Sequence, residues 1–440
     1  MTALLVSLMV FLGPAGSAEA RAGAAAAADT VALPDSSALP DSSSSRVLGD
    51  STGRGPAPPD TSGAMRASVL ADTARARGGV DYLWVLRGAL IDPAKLDHIV
   101  ERAKAIGARG LLVQVVGRGD AFYRSDILPR SEALGGSEAP PDYDPLEEIL
   151  ERAHRSGLEV HAWVNCMLVW SARSRPRDPR HVLNAHPEWV AAIKGGRPLS
   201  WLKPRERQRL AIEGVYLNPA HPRVRTWIAS VAQEIARRYP VDGIHLDYIR
   251  QPDVAVGYDP TTRARFALQT GVDPERRDRL PAPQRAAVDS EWLAFQREQV
   301  TAVVREVRDS VCAARPGLPI SAAVVADTVR AMRSTAQPWQ KWVQDGLLDR
   351  AFPMCYAPSV QTVMNQLVAF AREFGATDRL VPGIAVFNTS VAVAALKIKG
   401  ARTLGFPLLA LYSYDSLFLK PGTWPLLRTS LGSEPHDPGP

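Results

Sequence analysis

Three cysteines in 440 residues are too few for a disulfide framework, and an odd number leaves at least one thiol free. Cys166, Cys312 and Cys355 fall in separate predicted elements, where they read as small buried apolar side chains. Aromatic residues are sparse at 7%, and the formal charge of +6, from 52 Lys+Arg against 46 Asp+Glu, is thinly spread. No basic stripe interleaved with aromatics occurs, so no nucleic-acid partner is expected. Past the N-terminus, no apolar run reaches the roughly 18 residues of a membrane helix. There is no HExxH and no Cys/His cluster at zinc spacing, so neither a metal site nor a cofactor is expected. A GxSxG elbow and a P-loop are missing as well. What remains, 46% hydrophobic and 22% charged, excludes global disorder.

Residues 1–20 read as a signal peptide. Leu4 to Leu12 form an apolar run too short to span a bilayer, and Ala18-Glu19-Ala20 supplies small residues where a signal peptidase reads. No Lys or Arg precedes the run, a departure from the usual pattern. No cysteine follows the cleavage site, so a lipid anchor there is not expected. Residues 21–78 are rich in Ala, Ser, Pro and Asp, and ALPDSS occurs twice in succession at 32–37 and 38–43. Such a stretch buries too little apolar surface to offset its ordering entropy and reads as a disordered linker. Residues 432–440 read as a disordered tail. An exported protein is therefore expected, periplasmic, cell-envelope or extracellular, with no stable membrane span after cleavage.

Residues 79–431 read as one domain in which strand and helix alternate. Strands are predicted at 82–90, 110–116, 158–165, 242–248, 319–325, 350–356, 380–386 and 406–412. Helices are predicted between them at 93–106, 144–156, 221–238, 289–314, 338–345, 360–374 and 389–403. Eight strands with right-handed crossovers are the count that closes an α/β (β/α)8 TIM barrel. A doubly wound open sheet is the alternative; it is disfavoured because no GxGxxG follows the first strand.

In such barrels chemistry sits at the C-terminal rim. Residues at or beyond the predicted strand ends are Arg118 and Asp120, then His161, Trp163 and Asn165, then His245, Asp247, Tyr248 and Arg250. Asp327, Tyr356, Asn388, Tyr412, Tyr414 and Asp415 complete the rim. Aromatic faces and hydrogen-bonding groups together suit a sugar. Long connections follow strands 3 and 4, and the first holds Trp170, Trp189 and Trp201, either carbohydrate platforms or plugs of a small loop core.

Several stretches resemble the bacterial glycosyl-hydrolase-like family 10. They are LVQVVGRGDAFYRSDILPRSEAL (112–134), YDPLEEILERAHRSGLEVHAWVN (143–165), HPEWV (186–190), YLNPAHPRVRTWI (216–228), VDGIHLDYIRQP (241–252) and FPMCYAP (352–358). The resemblance implies an exported (β/α)8 protein of a family that includes a division-associated hydrolase of peptidoglycan glycan strands. Two departures stand out. Asp247 is followed by Tyr248, where many relatives carry a second acid, and Asn165-Cys166-Met167 stands where they often have Asn-Pro-Tyr.

A common glycosidase needs two carboxyl groups around the scissile bond. Asp247 reads as nucleophile or base, against the alternative of an Asp that merely orients His245 or Arg250. Asp120 is the first choice of partner acid, and Asp327 and Asp415 are the others. Arg118, His161, Trp163, Asn165, His245, Tyr248, Arg250, Tyr356 and Asp415 are the expected substrate-binding residues. The histidines can equally be satisfied core residues, and Arg118 can equally neutralise Asp120. The expected function is a glycoside hydrolase acting on peptidoglycan glycan strands or a related polysaccharide. The alternative is a non-catalytic carbohydrate-binding or envelope scaffold on the same barrel.

Overall fold

The computed structural model describes residues 80–136, 139–253, 255–418 and 421–431. The signal peptide, the linker and the C-terminal tail of the sequence reading therefore lie outside the described residues. Eight parallel strands form the barrel: β1 (Tyr82–Val85), β2 (Gly110–Val116), β3 (Glu159–Asn165), β4 (Gly243–Asp247), β5 (Ile320–Val325), β6 (Arg350–Cys355), β7 (Gly383–Ala385) and β8 (Ala410–Tyr412). Each pairs with its sequence neighbour, and β8 closes the sheet by pairing Ala410 with Tyr82 and Leu411 with Leu83 of β1. The open-sheet alternative is thereby excluded.

One helix packs outside after each strand: α1 (Leu96–Ala105), α2 (Pro145–Arg155), α3 (Pro222–Arg238), α4 (Ala282–Ala314), α5 (Trp339–Gln344), α6 (Val360–Phe374), α7 (Val391–Thr403) and α8 (Thr423–Leu431). The N-terminus of α2 shows why it starts where it does. The Asp144 side chain accepts from the Leu146 and Glu147 N–H groups, and Pro145 takes the first helical position, where no N–H is needed. Helix α4 begins seven residues ahead of the apolar periodicity, because its first turn is exposed and its first buried residue is Val288. Strands β7 and β8 are shorter than their apolar runs: Pro382, just before β7, has no N–H for the ladder, and the Leu409 N–H, just before β8, goes to the Asp81 side chain.

Strand alternation sorts the core into two regions. Leu83, Val113, Val160, Leu246, Val324 and Leu411 face the helices, whereas Tyr82, Trp84, Leu112, Trp163, Phe352 and Ala410 form a second cluster along the axis. At the N-terminal end of the axis, Glu159 gathers the Tyr82 hydroxyl at 3.1 Å, the Arg109 Nε at 2.8 Å and His161 Nε2 at 3.3 Å. In mid-barrel, Trp84 Nε1 donates to His245 Nε2 at 3.1 Å, and His245 Nδ1 lies 2.9 Å from Ser321 Oγ. That chain fixes the histidine tautomer with its proton on Nδ1.

Room for Trp84 comes from Gly383, where a Cβ would stand 2.8 Å from the indole. Gly383→Ala is therefore expected to destabilise the barrel by about 1–3 kcal/mol, through overpacking against a buried indole. Urea unfolding checks this; a midpoint equal to that of the parent chain would show that the axis repacks freely.

Candidate active site

At the C-terminal mouth, β4 delivers Asp247 at its last residue, opposite Asn165 of β3 in the ladder. Asp247 is 9% exposed, and its Oδ1 accepts the Tyr248 N–H at 2.6 Å. That bond needs the chain to turn sharply. Tyr248 adopts a left-handed backbone, φ 48°, a conformation that costs a non-glycine residue about 1–3 kcal/mol and concentrates at functional sites. Burial pushes the Asp247 carboxyl up to about 6, against the opposing pull of the Tyr248 N–H and of the Arg250 cation.

Around it, Arg250 donates through Nη2 to Glu213 Oε1 at 2.9 Å, and its guanidinium lies 4.9 Å from the Tyr248 ring centroid. Burial would raise the Glu213 carboxyl, yet the Arg250 charge and hydrogen bond hold it below the usual carboxylate range. Glu213 is therefore an ionised counter-charge rather than a proton donor. It sits in the β3–α3 connection just before Gly214, and no rim rule pointed to it. Gln114, the one polar residue in the apolar run of β2, was likewise unassigned. It accepts from Arg87 Nη1 at 2.9 Å and marks an irregularity in the β2–β3 register between Gln114 and Val116.

The aromatic wall comes from several strands. Tyr356, beyond β6, lies 5.3 Å from Tyr412 of β8, and Tyr412 lies 5.9 Å from Trp84 and 6.4 Å from Trp163 by ring centroids. Trp163 Nε1 donates to Asn165 Oδ1 at 2.9 Å, and Asn165 Nδ2 donates to the Gly117 carbonyl at 2.9 Å. Beyond β8, Asp415 Oδ2 accepts the Leu86 N–H at 3.2 Å, and burial pushes this carboxyl up to about 6 as well. The Tyr412 phenol feels both carboxylates, Asp247 more than Asp415, though its own burial is the main reason it is hard to ionise.

Several expected site residues are placed elsewhere. His161 belongs to the layer around Glu159 at the opposite end of the barrel, because it lies only two residues into β3. His245 is fully buried between Trp84 and Ser321, and burial, then the nearby His161, keeps it neutral well below its ordinary range. Neither histidine faces the mouth. Asp120 spends one oxygen on the Arg118 N–H at 3.0 Å and the other on the Ser131 hydroxyl at 2.6 Å, which makes it a loop clamp. Asp327 is exposed and caps the short helix Thr328–Arg333 through the Arg330 N–H at 2.9 Å. Of the four acids named for chemistry, Asp247 stands in the mouth with a carboxyl that burial raises to about 6. Asp415 shares that property. Arg118 reaches Ser171 Oγ at 3.0 Å rather than neutralising Asp120 through its side chain. In the long β3–α3 connection, Trp170 and Trp189 are buried plugs, whereas Trp201 is 73% exposed.

A carboxyl with a raised folded-state value favours the fold while protonated. That contribution is complete below about pH 4 and is lost as pH rises through about 6. Asn at position 247 keeps an oxygen for the Tyr248 N–H but carries no charge. Asp247→Asn is thus expected to raise stability by up to about 3 kcal/mol at pH 7–8 and to change little near pH 4. Thermal unfolding across that range reads the difference; equal shifts at both ends would mean that Asp247 titrates normally.

A family model described as glycosyl hydrolase-like 10 matches residues 79–387. Glycosyl hydrolase DigH of Escherichia coli K12 is 28% identical over 292 residues, covering 62% of this chain and 59% of that protein. Glycosyl hydrolase YngK of Bacillus subtilis 168 is 26% identical over 235 residues, 52% of this chain and 40% of that protein. The chain thus spans less than two thirds of the length of these curated relatives. The PgaB (BpsB) glycoside hydrolase domain of Bordetella bronchiseptica superposes with a TM-score of 0.59 at 16% identity, covering 80% of this chain and 99% of that one. An α-L-fucosidase isoenzyme of Paenibacillus thiaminolyticus follows at 0.54 and 14%, covering 80% and 49%; at such identities both likenesses concern the fold alone. With its model matched across most of the barrel, the chain belongs to the glycosyl hydrolase-like 10 family.

Proposed function

We propose that this protein is an exported glycoside hydrolase that cleaves O-glycosidic bonds of a bacterial cell-wall glycan, peptidoglycan glycan strands in the first instance. The observation that carries the reading is the Asp247 carboxyl, held near neutrality at the barrel mouth beside an aromatic wall. A buried carboxyl of this kind retains a proton at a pH where an ordinary aspartate has lost it, and can deliver it to a leaving-group oxygen. This environment favours the acid role for Asp247 over nucleophile or base. Asp415 is the complementary carboxyl, in place of Asp120 and Asp327, whose oxygens clamp or cap backbone. Tyr356 and Tyr412, both half-buried, offer faces to the sugar C–H surface with the buried Trp163 packed behind Tyr412, and Tyr248, Arg250 and Glu213 hold the electrostatic setting of Asp247.

The scaffold reading draws on one observation: Asp247 is only 9% exposed, so little of its carboxyl is open to a substrate. Purified sacculi and a panel of cell-wall and exopolysaccharide glycans separate the two. Wild type is expected to release reducing ends, and Asp247→Asn to lose about 10²–10⁴ of that rate. Binding without release by wild type would establish the scaffold; release by Asp247→Asn near the wild-type rate would displace Asp247 from its role.

Two carboxyls titrating near 6 should give a bell-shaped dependence of kcat/KM centred close to pH 6, because one must be protonated and the other ionised. Initial rates between pH 4 and 8 check this; a profile flat from pH 5 to 8 would mean that this pair does not carry the reaction.

A further inference from the structure

The β3–α3 connection encloses a concavity of about 120 Å³ with Trp170 and Leu202 among its apolar lining. Arg173, Arg175 and Arg207 also line it, and no acidic residue does. The volume holds a group of several heavy atoms. Guanidinium groups grouped without a carboxylate leave their donors open to an incoming anion, whereas several other arginines of this chain are matched. Arg250 meets Glu213, Arg225 meets Glu306 and Arg263 meets Asp273. In the concavity, Arg175 Nη2 donates to the Leu183 carbonyl at 3.3 Å and Arg207 Nη1 to the Leu202 carbonyl at 3.1 Å, both neutral acceptors. None of the three has a carboxylate within ion-pair distance among the described residues.

Two further features tie the concavity to the barrel mouth. Arg87 and Arg118 are also without a carboxylate ion pair among the described residues, and Arg118 Nε donates to Ser171, the residue between Trp170 and Ala172 of the lining. Ser171 thereby links Arg118 to the rim of the concavity. Trp201, 73% exposed, stands in the chain between Ser200 and Leu202, two more lining residues.

We propose that this concavity is a remote subsite for an oxyanion substituent of an extended glycan, with the sugar that bears it stacked on Trp201 and the anion taken by Arg173, Arg175 and Arg207. A carboxylate and a phosphate ester share the chemistry: both accept paired N–H bonds from guanidinium groups. The proposal rests on the glycan reading above and adds an anionic substituent to what this protein selects.

The test uses titration calorimetry in the Asp247→Asn chain, so that no probe is consumed. The probes are an oligogalacturonate with its methyl-esterified counterpart and a phosphorylated oligomannose with its phosphatase-treated counterpart. At least one anionic probe is expected to bind about tenfold or more tightly than its neutral counterpart, and the arm that does so identifies the substituent. Arg173→Gln/Arg207→Gln is expected to abolish that preference while leaving the neutral probes unchanged, and Arg173→Lys/Arg207→Lys to keep part of it. No preference in either arm, a preference that survives the double Gln variant, or an equal loss for charged and neutral probes would each overturn the assignment. An anion preference in a chain that hydrolyses no glycan would defeat the hydrolase reading alone, and hydrolysis without any preference would defeat only the subsite.

Discussion

Everything at the mouth rests on how the barrel axis is filled. Parallel strands of this length leave a cylinder that must be packed with side chains, and here the packing is partly polar. Tyr82, His161 and Glu159 close one end, and Trp84, His245 and Ser321 form a hydrogen-bonded rung at mid-height with Phe352 against it. Burying a polar group without a partner costs free energy, and the rung partners both nitrogens of His245. With the lower axis solid, Asp247 is raised on a floor of aromatic rings rather than over a channel. Its withdrawal from water, and hence its affinity for a proton, follows from that floor.

The same filling explains what could be read from the sequence and what could not. Eight apolar runs alternating with amphipathic stretches implied the closed barrel, and β2 and α6 lie where periodicity places them. Alternation along β4 likewise points Gly243, His245 and Asp247 toward one face. What alternation does not carry is depth. His245 and Asp247 are two residues apart and face the same way, yet one is locked in the core and the other reaches the rim. His161 was misplaced for that reason, being a step nearer the start of its strand than Trp163.

The acids show a second limit. Asp120, Asp327 and Asp415 all follow strand ends, and in one dimension they are equivalent. Only the fold reveals that the first two are consumed by nearby N–H and O–H donors, as is common for aspartates in turns and at helix starts, whereas Asp415 is drawn beneath the β1 end and loses solvent. Glu213 escaped notice because its importance lies in a long-range pairing with Arg250, 37 residues away, which no local pattern encodes. The helix α8 was missed because it follows the last apolar run in a stretch interrupted by Pro and Gly.

The antiparallel ribbon of Leu168–Trp170 against Val215–Tyr216 joins two regions that appear separate along the chain. One strand begins two residues after Glu213, the partner of Arg250, and the other ends at the indole that floors the arginine concavity. Gly214 lets the strands touch, since any side chain there would collide with the Trp170 carbonyl. The ribbon thus ties the loop that carries Glu213, and with it the counter-charge of Arg250 beside Asp247, to the strand that ends at Trp170, so the wall of the concavity and the electrostatic setting of the rim share one two-stranded support.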